Sequence, residues 1–300
     1  MLRGSRALVW IGRNSSTAAA PRPGCVDKIE TCCEHLSITS SRSSEWLEAW
    51  TLVKPTETTL ESPWWHEKSF WYGLHTLLDP VRVPFFQAVL RNHSREFMRV
   101  LDLGSGAGFV SVGLGDTAHM TAVDLSSNAV FQARAAGVPR VVVADATRLP
   151  FGDATYDAVI CSEVLEHITE KDLAIAEAAR ITVPGGLFLF STPTRTAWSR
   201  LALIEAAQRW RLTRVLPPDL HVWDHFLTRE ELVKVLDIHG FRICHITGVG
   251  LSPTGWPRML AALALLKTGR IGYAEAGRRI DLTVTKSMKL AMIGYAERVE

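Results

Sequence analysis

Val100-Leu101-Asp102-Leu103-Gly104-Ser105-Gly106-Ala107-Gly108-Phe109 is the stretch on which the fold turns. Its first four residues read as a buried strand, its three glycines as a tight turn, and the chain from Phe109 as a helix. Glycine lets backbone approach a bound group with no Cβ in the way, and the helix N-terminus behind the turn offers unpaired N–H groups. The turn alone does not name its ligand. Nicotinamide-dependent enzymes carry G-x-G within G-x-G-x-x-G, and the position three after Gly106 is Phe109 here.

Outward from this stretch the pattern is regular. Met98–Leu103, Met120–Leu125, Arg140–Asp145, Tyr156–Ser162 and Gly185–Thr192 are short apolar runs set apart by helix-length or loop-length segments. Strands buried on both faces and alternating with helices imply an α/β fold with a parallel sheet covered on both sides. Two later strand candidates, Phe241–Val249 and Lys289–Ala296, flank an apolar and basic insertion at Pro253–Arg279. Residues from about 40 to 98 lack strand alternation and are rich in aromatics, which predicts helices capping the core. The expected organisation is a tail over 1–40, a helical cap over 41–98 and a catalytic domain over 99–300, with insertions near 194–220 and 253–279.

Two further acids extend the motif. Asp124 ends the second strand, where an acid accepts hydrogen bonds from ribose hydroxyls. Capping of the following helix, next to Ser126 and Ser127, is the other reading of Asp124. After the third strand, Ala144-Asp145-Ala146-Thr147-Arg148-Leu149-Pro150-Phe151 supplies Asp145 as an acceptor for an adenine amine. The ladder of Asp102 with its glycine turn, then Asp124, then D-A-x-x-L-P-F resembles class I methyltransferases that use S-adenosylmethionine. A dehydrogenase pattern matches only the first rung. The resemblance implies a Rossmann-like sheet of seven strands, mostly parallel with an antiparallel last strand. It also implies a cofactor across the carboxyl ends of the strands, against Asp102, Gly104 and Gly106.

Segments outside the motif narrow the family. Trp64-Trp65, Leu74-His75 and Asp79-Pro80-Val81-Arg82-Val83-Pro84-Phe85-Phe86 resemble the N-terminal helix of the ubiquinone-pathway O-methyltransferases, whose pattern is roughly WWD…G…LH…NP-hydrophobic-R. Ser162-Glu163-Val164-Leu165-Glu166-His167, Pro184-Gly185-Gly186, Ser191-Thr192, Val215-Leu216-Pro217 and Ile246-Thr247-Gly248 follow in the family's order, so the resemblance spans about residues 60–256. It implies that Arg82 reaches the carboxylate of the cofactor's methionine, that Gly104 and Asp124 hold its neighbouring and ribose parts, and that Ser162 lines its adenosine end. The planar fork of arginine suits a carboxylate, although the residues alone also allow an ordinary surface arginine. The chain departs from the pattern at His66, where the family has Asp, in a missing glycine soon after, and in Gly104–Gly108, where the family reads G-C-G-G-G. The D-A-x-x-L-P-F stretch is more typical of general small-molecule methyltransferases.

Glu163, Glu166 and His167 stand at i, i+3 and i+4, so a helix after the fourth strand would present all three on one face. The resemblance implies that they hold Mg²⁺, which would chelate the oxygens of a catechol and lower the pKa of the one to be methylated. The same letters also fit methyltransferases without metal, in which His167 is a hydrogen-bonding base or a packed imidazole. His221, just before Trp223-Asp224-His225-Phe226, matches a family histidine and is a second candidate base, with a structural histidine as the alternative. Direct displacement from a sulfonium requires no cysteine nucleophile.

Composition limits the partners. At 300 residues and 47% hydrophobic, the chain can bury one substantial core. A net charge of +2 gives no overall basic field for nucleic acid. The five cysteines lack paired C-x-x-C spacing and read as reduced thiols. The longest strongly apolar run, Met259–Leu266, is far short of the roughly 20 residues of a spanning helix. Thr194–Leu216 interleaves Arg195, Arg200, Arg209, Arg211 and Arg214 with Trp198 and Trp210, the composition of an interfacial anchor on anionic lipid, or of amphipathic helices packed on the core. Arg3, Arg6, Arg13 and Arg22, with no acid before Asp27, fit a mitochondrial transit peptide, or else a disordered bacterial N-terminus or an over-long start. These features predict a protein on the matrix side of the inner mitochondrial membrane, with the bacterial cytoplasm or membrane surface as the alternative. The implied partners are a polyprenylated substrate, that membrane surface and other quinone-biosynthesis proteins. Two other functions fit the sequence: methylation of another small molecule, and a catalytically silent subunit built on the same fold.

Overall fold

The computed structural model describes residues 64–93 and 98–299, so the tail expected over 1–40 and the first part of the cap lie outside the described residues. In chain order the elements are α1 (Phe70–Asn92), β1 (Arg99–Leu103), α2 (Phe109–Leu114), β2 (His119–Asp124), α3 (Ser127–Ala135), β3 (Arg140–Val143), β4 (Tyr156–Ser162), α4 (Lys171–Ile181) and β5 (Thr182–Pro193). A π-helical segment (Arg200–Arg209) and a short 3₁₀ turn (Trp223–His225) precede α5 (Arg229–Ile238), β6 (Phe241–Leu251), α6 (Gly255–Lys267), α7 (Tyr273–Arg279), β7 (Leu282–Thr285) and β8 (Ala291–Arg298).

The strands form one sheet in the order β3-β2-β1-β4-β5-β8-β6-β7. β1 pairs in parallel with both β2 and β4, which places the glycine turn at the middle of the sheet's carboxyl edge. Consecutive β1 residues serve opposite faces. Val100 packs with Phe86 and Leu90 of α1, while Leu101 and Leu103 pack with Ile175 and Ala178 of α4. Burial on both faces explains why these strands read as continuous apolar runs rather than as an alternation.

β8 enters antiparallel between β5 and β6, as expected of the last strand. The sheet has eight strands rather than seven. The additional strand β7 pairs antiparallel with β6 at the edge and was masked in the sequence by its shortness and by the preceding insertion. That insertion folds into the two helices α6 and α7. α7 packs on α1 so closely that a Cβ on Gly73 would lie 2.5 Å from the Tyr273 Cβ, and one on Gly277 would lie 2.5 Å from the Gly73 carbonyl oxygen. Thr76 Oγ1 bridges the pair, donating to the carbonyls of Gly73 at 2.9 Å and Ala274 at 3.1 Å. Among the described residues, no helix is long and apolar enough to cross a membrane.

Candidate active site

The glycine turn needs left-handed backbone, with φ of 69° at Gly104, 53° at Gly106 and 78° at Gly108. A Cβ at Gly104 would meet both methyls of Val164 at 2.5 Å, and one at Gly106 would meet the Trp64 ring at 2.7 Å. The glycines therefore answer to close protein packing as well as to any ligand. Asp124 braces the turn: Oδ2 accepts from the Gly106 N–H at 2.8 Å and Oδ1 from the Ser126 N–H at 2.8 Å. The helix cap is Ser126, whose Oγ accepts from Ala129, so the capping alternative for Asp124 is excluded. A carboxylate offers about four acceptor directions, so lone pairs remain for a ligand.

A cavity of about 410 Å³ opens over this turn and is bordered by Arg82, Asp102, Gly104, Gly106, Asp124, Asp145 and Ser162. All seven residues assigned to the cofactor from the sequence thus meet at one hollow. Asp102 is 2% exposed and accepts from Ser111 Oγ at 2.7 Å, tying β1 to α2. Burial pushes its pKa up to about 6, with the Ser111 hydrogen bond opposing. Arg82 is buried on α1 and donates from Nη1 to Ser162 Oγ at 3.3 Å, which rules out an ordinary surface role. Asp145 stands at the exposed rim, its Oδ1 accepting from Thr147 N and Oγ1 at 2.8 Å each, bonds that hold its pKa down.

Aromatic residues roof the cavity, a role the sequence reading missed because it treated them as cap packing. Trp64 and Trp71 stack at 4.4 Å between ring centroids, and His75 stacks on Phe109 at 4.5 Å. Trp65 Nε1 donates to the Ala107 carbonyl at 2.9 Å, pinning the roof to the turn. A smaller hollow between Phe85, His93 and Tyr295 shares no residue with this site.

The acid-histidine cluster differs from expectation. Residues 163–168 are a bend and a single turn at 165–167, and helix α4 begins only at Lys171, so Glu163, Glu166 and His167 do not share a helix face. Glu163 adopts φ of 57° and its Oε1 accepts from Ser191 Oγ at 2.8 Å. Burial raises its pKa against the pull of Arg82. Glu166 is 1% exposed; its Oε2 accepts from Thr192 Oγ1 at 3.0 Å, while Oε1 has no partner among the described residues. Burial, then the charge of Glu163, pushes its pKa well above the usual carboxylate range.

His167 borders the cavity with part of its ring exposed and stacks on His221 at 5.3 Å. Burial of the rest of the ring, then His225 and Lys171, lower its pKa. Burial, then His167, lowers that of His221 to about 4. The Nδ1 of His221 is buried without a partner among the described residues. Donor atoms of Glu166, His167 and His221 lie within 4.8 Å of one another, so among the described residues these three are grouped to hold a cation, with His221 in place of Glu163. The unpartnered atoms on Glu166 and His221 fit a cation. Two imidazoles and one carboxylate suit a borderline ion better than Mg²⁺, which prefers oxygen ligands.

A family model described as a methyltransferase domain matches residues 101–190. A ubiquinone biosynthesis O-methyltransferase of Azorhizobium caulinodans is 31% identical over 221 residues, covering 67% of this chain and 86% of the relative. One from Chromobacterium violaceum is 28% identical and covers 74% of this chain and 94% of the relative. Among solved structures, a protein of Pyrococcus horikoshii superposes with a TM-score of 0.51 at 17% identity, covering 82% of this chain and 100% of that one. A S-adenosylmethionine-dependent methyltransferase of Thermotoga maritima superposes with a TM-score of 0.50 at 16% identity, covering 76% and 92%. By this similarity the chain belongs to the ubiquinone biosynthesis O-methyltransferase family of class I S-adenosylmethionine-dependent methyltransferases.

Proposed function

We propose that the protein methylates a hydroxyl of a polyprenylated catechol or related quinol precursor of ubiquinone. The observation that carries this reading is the position of His167, which borders the cofactor cavity and stacks on His221 with Glu166 alongside. S-adenosylmethionine supplies, when bound, a methyl group on a positively charged sulfur that leaves readily. Arg82 holds the carboxylate end, Asp124 the ribose hydroxyls and Asp145 the adenine amine. Fixing the acceptor oxygen in line with the methyl group supplies most of the acceleration.

The acceptor proton falls to the acid-histidine cluster. His221 is a weak base with a pKa of about 4, and that weakness suits a metal ligand, because protons do not compete for a neutral imidazole near pH 7. His167, bordering the cavity, is the better placed base. A divalent cation, if bound, would be held by Glu166, His167 and His221 and would supply Lewis-acid lowering of the acceptor hydroxyl's pKa.

A membrane-borne substrate is supported by exposed Trp198, Trp210, Leu212, Trp256 and Leu260, interspersed with arginines. Lys267 Nζ donates to the Arg211 carbonyl at 3.2 Å, joining the end of α6 to the turn after the π-helical segment. The relatives reported above are bacterial, which favours the bacterial alternative for location over the mitochondrial one.

The test is methyl transfer from labelled S-adenosylmethionine to a short-chain catechol, with quinone intermediates followed by mass spectrometry in a deletion strain. Accumulation of an unmethylated catechol supports the reading. Methylation of unrelated phenols with no change in quinones favours a general small-molecule methyltransferase, to which Ala144–Phe151 also conforms.

A further inference from the structure

His75, Asp79 and Arg82 occupy one face of α1 at spacings of four and three residues. His75 Nδ1 bonds to Asp79 Oδ2, and Arg82 Nε donates to Asp79 Oδ1. Asp79 is 8% exposed and Arg82 9%. Arg82 also feels the charges of Asp102 and Glu163, yet among the described residues Asp79 is the carboxylate to which it hydrogen-bonds. Arg82 and His75 border the cavity, whereas Asp79 does not.

An arginine has two hydrogen-bonding edges. With Nε on Asp79 and Nη1 on Ser162, rotation of the guanidinium about its long axis is blocked, and the Nη edge is held at the cavity wall. His75 in turn is fixed by stacking on Phe109, the first residue of α2, so the chain of contacts runs from the glycine turn's own helix to the guanidinium. Burial alone would raise the pKa of Asp79, but Arg82 and His75 outweigh it, so Asp79 stays ionised. The family pattern has an amide at this place, and an aspartate adds a counter-charge.

We propose that Asp79 is a positioning residue for the amino-acid end of the cofactor: it acts through Arg82, without touching the ligand, and His75 holds it in place. The proposal rests on the reading of Arg82 as the partner of the cofactor's carboxylate.

Calorimetric titration of the full chain with S-adenosylhomocysteine and with 5′-methylthioadenosine, which lacks the amino-acid end, separates positioning from general stability. Wild-type protein should prefer S-adenosylhomocysteine. Asp79→Ala should bind it about tenfold more weakly, while affinity for methylthioadenosine stays within about twofold. Asp79→Asn, whose amide oxygen can still accept from Nε, should recover most of the loss. If Asp79→Ala does not fold, Asp79→Ser gives the same reading, because its hydroxyl is too short to reach Nε. Equal weakening of both ligands overturns the proposal, as does unchanged affinity in Asp79→Ala when Arg82→Gln loses it. Unchanged affinity in Arg82→Gln overturns the reading of Arg82 itself, and the role of Asp79 with it.

Discussion

Gln208 grips the backbone of His221 with both ends of its amide: Nε2 donates to the His221 carbonyl at 3.0 Å, and Oε1 accepts from the His221 N–H at 3.0 Å. Gln208 is 4% exposed and lies near the end of the π-helical segment. The basic, tryptophan-bearing segment therefore serves the site directly as well as presenting a surface.

Gln208→Leu should lower turnover on a catechol by up to about thirtyfold, since two partly buried backbone groups lose partners worth roughly 1 kcal/mol each in net terms. Affinity for S-adenosylmethionine should not change. Stopped assays beside calorimetry check both, and equal loss in the two measurements would make Gln208 a fold residue only.

Gly104→Ala should destabilise the fold more than it blocks the ligand. Its φ of 69° and the 2.5 Å approach of Val164 both oppose a side chain. A cost of about 1–3 kcal/mol is expected from the backbone alone. Adding Val164→Ala should recover the packing part, visible as a partial return of the melting temperature; no recovery would mean that backbone strain accounts for all of it.

Chelation separates the roles of the acid-histidine cluster. Glu166→Gln and His167→Ala should each reduce turnover while leaving cofactor affinity near wild type. Loss of activity in excess EDTA, restored by a transition-metal ion and poorly by Mg²⁺, is the expected result. Full activity in EDTA would remove the metal and leave His167 as a base.

Asp102 should leave a mark on the pH dependence of stability. Its folded pKa of about 6 lies above the unfolded value of 3.8, so the folded state binds this proton more tightly. The contribution is fully present below 3.8 and lost as pH rises through about 6, with an upper size of roughly 3 kcal/mol. Asp102→Asn should be less pH-dependent than wild type across that window in urea titrations. Parallel curves would show that Asp102 keeps an ordinary pKa.

Replacing Arg209, Arg211 and Arg214 by Gln should release the protein from cardiolipin-containing vesicles, at about 1 kcal/mol per arginine near the surface. Arg209 already pairs with Glu205 at 3.1 Å, so its share should be the smallest of the three. Activity on a water-soluble catechol should survive. Vesicle binding retained with activity lost would reassign the segment to the acceptor site.

The middle of the sheet was legible because β1, β2, β4 and β5 are buried along most of their length on both faces and so keep unbroken apolar runs. The meeting of Gly104, Asp124 and Asp145 at one cavity was legible because each lies at the end of a strand or within two residues of it, where spacing along the chain maps onto spacing along the sheet edge. The cluster at Glu163–His167 was misread as helical because the spacing of three and four residues arises in a turn as well. The left-handed backbone at Glu163, held by Ser191 on the neighbouring strand, leaves no trace in local sequence. Nor does the partnership of Gln208 with His221, which depends on how the segment folds back. His221 was singled out as a base, but its place beside Glu166 and His167 comes from tertiary packing.

The bare contact between Gly73 and Gly277 carries a consequence for motion. With backbone against backbone and Thr76 spanning the seam, α1 and α7 have little room to slide independently. Trp71 and His75 of the roof, and Arg82, all sit on α1. Amide exchange in α1 and α7 should accordingly proceed through one shared opening event, and a deletion within 253–279, nearly two hundred residues downstream of the roof, should speed exchange around Trp71 and His75.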